Sequence, residues 1–226
     1  MRLGWLGAGR RDLRGLIVQE MFAPLPSAPL PRVSVPRVID MHGHCGAPEA
    51  EMLLAGRPER SAEMAASAAA SGEASMRHNG TVMLPQAFAR MGSLEKRLED
   101  LDLMGVDVQV VSPSPHLYAY WADAALASEL VEAVNGAAAV LVKQAPTRLS
   151  ALGIVSMQHP ELAAEQIVTA KAAGLKGIEI SASVGELELS DPGFDPVWQA
   201  AEAAGMPIFI HPLGTSLVTA VLRPRP

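Results

Sequence analysis

Two of the six histidines in this chain, His42 and His44, stand one residue apart at the end of the mostly apolar run Val38-Ile39-Asp40-Met41. In an extended strand, residues two apart face the same side, so Asp40, His42 and His44 are expected to share one face. Two neutral imidazoles aimed at one point suit a single divalent cation. The plain alternative is a pair of surface histidines in a turn. A third histidine, His211, closes the apolar stretch "PIFIHP". If the two strands run parallel, His211 reaches the same rim as His42 and His44. Three histidines with an open fourth position can hold a metal ion that acidifies bound water toward neutral pH.

The remaining histidines and the lone cysteine carry weaker signals. His116, in "SPSPHLYAYW", follows the second apolar strand and would sit on the same rim, where it could touch a substrate; the competing reading is an ordinary loop histidine. His159 opens a helix, and His78 lies in a poorly patterned region. Lys176 stands at the start of its strand, whereas a carboxylated lysine bridging two metals would need to be at the end, so one metal is expected. Cys45, beside the histidine pair, reads as a small packed residue.

Regular elements are needed to position these groups. "LEKRLEDLDLMG" places Leu94, Leu98, Leu101 and Met104 at helical spacing and stops at Gly105, before the β-branched run "VDVQVVS". Residues 123–144 repeat the helical pattern, and "LSALGIVSM" is a strand candidate. The next helix has Pro160 in its first turn and Gly174 after its last. "KGIEIS" reads as a strand, residues 196–204 as a helix capped by Asp195, and "PIFIHP" as the closing strand. Strand and helix thus alternate five times, which argues for parallel strands with helical crossovers, an α/β fold. Polar residues gather at the carboxyl ends of the strands, where barrels and open α/β sheets both bind ligands.

Residues 1–36 are expected to form an N-terminal extension with the Pro-rich linker "APLPSAPLPRVSVP", and residues 37–226 the main α/β domain. "GWLGAGRRD" is not a nucleotide loop, because the third glycine position falls on Asp12 and no strand precedes it. The segment 62–74 is low in complexity and reads as a surface excursion rather than a packed element. A net charge of −6 offers no basic footprint for nucleic acid. A single cysteine cannot form an internal disulfide, so a reducing cytoplasm is the default compartment. No apolar run approaches the roughly 20 residues of a membrane span, so a membrane protein is not expected. The arginine pair at Arg10 and Arg11 only loosely imitates a twin-arginine export signal, since "QEMFAP" interrupts the apolar residues behind it.

Taken in order, "VIDMHGH", "KRLEDLDLMGVDVQVVSPSP", "GIVSMQHPELAAEQI" and "GLKGIEISASVGELELSDPGFDPVWQAAEAAGMPIFIHP" resemble the amidohydrolase-related family that includes aminocarboxymuconate semialdehyde decarboxylase, over residues 37–212. The resemblance implies a distorted (β/α)8 TIM-type barrel with one divalent metal, usually zinc. It implies non-oxidative decarboxylation, or hydrolysis, of a small, often aromatic-derived carboxylic acid, by a protein that can be a homodimer. By position, His42 and His44 match the family's first two metal ligands and His211 the third. Arg97 and Asn135 match recurrent positions and read as structural. Related proteins continue through three more strand and helix units, adding a histidine after strand six and an aspartate after strand eight. Those two residues have no counterpart here, so only the first five β/α units are expected and no catalytic acid or base is assigned. A shortened gene product is the favoured explanation, with partners covering the gap as the other. A lactone or amide hydrolase, and a catalytically silent metal-binding or interaction protein, are the rival functions.

Overall fold

The computed structural model describes residues 38–211. The N-terminal extension and linker expected over 1–36 lie outside the described residues, as does the stretch beyond His211.

The chain begins with strand β1 (Ile39–Cys45), followed by helices α1 (Pro48–Leu54), α2 (Pro58–Ser71), α3 (Glu73–His78), α4 (Leu84–Met91) and α5 (Leu94–Met104). Strand β2 (Val108–Pro113), helix α6 (Ala124–Gln144), strand β3 (Leu149–Ala151), helix α7 (Pro160–Ala172) and strand β4 (Ile178–Ser181) come next. A small antiparallel pair, β5 (Ser183–Val184) and β6 (Leu187–Glu188), precedes helix α8 (Asp195–Ala204) and strand β7 (Ile208–His211).

Helix boundaries follow local chemistry. Ser93 Oγ accepts a hydrogen bond from the Lys96 amide at the start of α5, which ends where Gly105 adopts a left-handed φ of 69°. The Asp123 carboxylate accepts from the Leu126 amide at 2.9 Å to open α6. Asp195, expected as a cap, is instead the first residue of α8. The capping carboxylate nearby belongs to Asp191, which accepts from the Gly193 amide and fixes the turn ahead of α8.

All the long strands are parallel. β1 pairs with β2, β2 with β3, and β4 with β7. A parallel bridge between Gly153 and Ile178 continues the order from β3 to β4. The wall therefore reads β1-β2-β3-β4-β7, five strands in sequence order with helices between them, which is the run of β/α units expected for a barrel. Between the strands and their helices lies a core containing Val111, Ala151, Ile178 and Ile180 from the wall and Leu101, Ala138, Ile167 and Val197 from the helices.

Three expectations need revision. The segment 62–74 is at the surface as read, but it is helical, falling mainly in α2 with its side chains largely exposed. Only Leu149–Ala151 of "LSALGIVSM" forms a strand, because the chain leaves the ladder and returns to it at the Gly153 bridge. Helix α6 has the length and composition of a membrane span, contrary to the expectation that no apolar run approaches one. Its buried residues Leu126, Leu130, Val134 and Ala138 form a stripe, while Glu129 and Glu132 face outward, the pattern of a helix packed on a sheet.

Candidate metal centre

β1 and β7 lie at opposite ends of the five-strand wall. In a flat sheet, four inter-strand steps would separate them by about 19 Å. Yet the ring centroids of His42 and His211 are 4.9 Å apart, and those of His44 and His211 5.6 Å. The wall must curl strongly, as a barrel wall does, to bring its two ends together on the inside. His42 and His44 are themselves 4.9 Å apart, ring to ring. One ligating nitrogen from each of the three lies within 4.8 Å of the others.

Parallel register places this trio at one rim. His44 pairs with Ser112 near the end of β2, and His211 pairs with Ser181 at the end of β4. Burial pushes the pKa of His44 down, partly countered by the nearby Glu179 carboxylate; His42 and His211 add to the depression. A neutral imidazole keeps its lone pair available for a cation. His44 Nδ1 is buried and has no hydrogen-bond partner among the described residues. Three converging imidazole nitrogens, with His44 Nδ1 lacking a hydrogen-bond partner, fit a borderline divalent ion such as zinc or manganese.

Asp40 does not join the histidines. The register of β1 shifts between Asp40 and Gly43, which breaks the alternation expected from spacing alone. The Asp40 carboxylate accepts from the His42 amide at 3.1 Å and from Gln109 Nε2 at 2.7 Å. Gln109 Oε1 in turn accepts from Arg97 at 2.6 Å, and the same guanidinium donates to the His44 carbonyl at 2.6 Å. Arg97 thus ties α5 to the backbone of a candidate ligand, in line with its structural reading. Gly43 lies against this network: a Cβ there would come within 2.7 Å of the Gln109 side chain. Asn135 is likewise bonded to backbone, accepting from the Ile154 amide at 2.8 Å and donating to the Ile154 carbonyl at 3.0 Å.

His116 stands in the turn after β2, three residues past its end, with Nε2 against Glu51 Oε1 on α1. His159 occupies the position before α7, its ring against the Ala122 carbonyl. His78 is at the exposed end of α3. Cys45 is 2% exposed, and burial pushes its thiol up to about 11.

Sequence reading missed Glu179. It lies within the β4 run Ile178-Glu179-Ile180-Ser181 and is 1% exposed. Tyr118 Oη donates to Glu179 Oε1 at 2.6 Å, and burial together with that carboxylate drives the phenol pKa strongly upward. A carboxylate in the middle of an otherwise apolar buried strand was the available signal.

The sequence model of the family described as "Amidohydrolase" matches residues 39–223. Among curated proteins, the chain is similar to the 2-amino-3-carboxymuconate-6-semialdehyde decarboxylase of Dictyostelium discoideum, with 33% identity over 117 residues, 51% of this chain and 33% of that protein. Among solved structures it resembles the 5-carboxyvanillate decarboxylase of Sphingomonas paucimobilis, with a TM-score of 0.61 and 25% identity over 77% of this chain and 51% of that one. The 5-carboxyvanillate decarboxylase of Novosphingobium aromaticivorans, with bound manganese and 3-methoxy-4-hydroxy-5-nitrobenzoic acid, shares the fold at a TM-score of 0.62 and 22% identity, over 83% of this chain and 56% of that one. The chain spans about a third of the curated relative and about half of the solved structures.

Proposed function

Because the chain belongs to the amidohydrolase family, we propose that it forms the metal-holding part of a non-oxidative decarboxylase, a carboxy-lyase acting on a small carboxylated, aromatic-derived substrate. The observation that carries this reading is the convergence of His42, His44 and His211 within 4.8 Å at the carboxyl rim of a curled parallel wall. The similarity to decarboxylases of two different carboxylated substrates supports the reaction class.

In this reading His42, His44 and His211 hold one divalent cation, and we assign zinc, with manganese as the ion carried by the Novosphingobium protein. Such an ion supplies Lewis acidity, drawing electron density from an oxygen of the bound acid. The chain's own residues prepare the site. Burial keeps His44 neutral, and Arg97 holds the His44 carbonyl so that the ring is set before ligand arrives. His116 is assigned substrate contact: with Nε2 held by Glu51, its other ring nitrogen is left for a carboxylate at the rim.

The test is product analysis with the metal-loaded chain and 5-carboxyvanillate or 2-amino-3-carboxymuconate semialdehyde. The reading expects carbon dioxide release, abolished in a His42→Ala/His44→Ala/His211→Ala variant. Hydrolysis of lactones or amides without carbon dioxide would move the assignment to a hydrolase. Metal binding without turnover of either class would leave a binding protein.

A further inference from the structure

Glu179 is a buried acidic residue, 1% exposed, that the reading above does not use. We propose that Glu179 is a positioning residue of the histidine site, whose buried carboxylate supplies the negative charge that a divalent cation on His42, His44 and His211 balances. The inference rests on the metal reading.

Its placement comes from register. Glu179 pairs with Phe209 and Ser181 with His211, and paired residues of parallel strands share a face. Phe209 packs against His42 at 5.8 Å between ring centroids, so this is the face that carries the trio. Ile178 and Ile180 belong to the core shared with the helices. Glu179 therefore lies one alternation below His211 on the inner side of the wall.

Its bonding is half complete. Oε1 accepts from Tyr118, while Oε2 is buried with no hydrogen-bond partner among the described residues. Tyr118 stacks on Tyr120 at 5.5 Å and 13°, and Tyr120 Oη accepts from the Ser181 amide at 3.2 Å. Tyr118, itself stacked on Tyr120, thus holds the carboxylate by one oxygen and leaves the other without a hydrogen bond. Among the described residues, no arginine or lysine pairs with Glu179. The electrostatic influence of Glu179 reaches His44 and Cys45 on β1 as well as Tyr118. An ionised carboxylate in such surroundings is costly unless a cation lies near, and a divalent ion is the largest charge this site could take.

A purely structural carboxylate, kept only to accept from Tyr118, makes different predictions from one that serves the ion. Equilibrium dialysis with Mn2+ and with Zn2+, on the full chain, separates them when read beside thermal unfolding in EDTA. Glu179→Gln keeps the shape and an oxygen for Tyr118. It is expected to bind either ion at least about tenfold more weakly than wild type. In EDTA it is expected to melt at or above the wild-type temperature, because a buried carboxylate with one unpartnered oxygen has been replaced by a neutral amide that keeps the Tyr118 bond. Glu179→Asp, which keeps the charge, is expected to recover part of the affinity. Wild-type affinity in Glu179→Gln overturns the proposal. So does a Glu179→Gln chain that fails to fold or melts lower in EDTA, since that marks a structural carboxylate. If the wild-type chain itself binds neither ion, the metal reading has failed, and this inference goes with it.

Discussion

At the scale of single residues, His42, His44 and His211 are each expected to be indispensable for metal. Replacing any one by alanine should cut affinity by more than the roughly 10–100-fold that loss of a supporting partner costs, read by competition with a chelating dye. Cys45 should behave oppositely to an activated thiol. It is 2% exposed with its thiol pushed up to about 11, so a thiol reagent at about pH 8 should label it only in denaturant. The histidines were legible because a period of two and the donor chemistry of imidazole are both local properties of the sequence. Asp40 seemed to belong with them by the same spacing, and the shifted register of β1 removed it. Glu179 was missed for a different reason: a carboxylate inside an apolar run stands out in the sequence, but its meaning depends on which strand lies beside it.

At the scale of elements, the links that hold β1 and the segment after β3 in place can be tested one at a time. Gly43→Ala would push its new methyl into Gln109, whose amide is already held by Asp40 and Arg97. Overpacking of this kind costs about 1–3 kcal/mol, measured by denaturant unfolding, and should weaken metal binding because His44 is the next residue. Asn135→Ala would strip both the amide and the carbonyl of Ile154 of their partner in a buried setting. A loss of about 2–4 kcal/mol is expected, at about 1–3 kcal/mol for each orphaned group and without full additivity. Helices α5, α6 and α7 were readable from apolar stripes with caps or prolines at their starts. The helix over 62–74 was not, because an alanine-rich, mostly exposed segment has propensity for a helix but no stripe to declare it. The short β3 was overdrawn, since a run of apolar residues does not reveal where a chain steps out of its ladder.

At the scale of the whole molecule, the parallel α/β wall was evident from alternation, and its curl became measurable only through the meeting of β1 and β7. That curl is what turns three separated histidines into one site. A ligand bound only by the folded form stabilises it, by about 2.7 kcal/mol at a hundredfold excess over its dissociation constant, so zinc or manganese should raise the melting temperature of wild type and leave the triple histidine variant unmoved. The most direct measurement is the metal content of the purified chain after loading and desalting, by elemental analysis, beside His42→Ala/His44→Ala/His211→Ala. The account predicts about one equivalent of divalent ion in the wild type and none in the variant. An empty wild type, or a variant that keeps its metal, would contradict it.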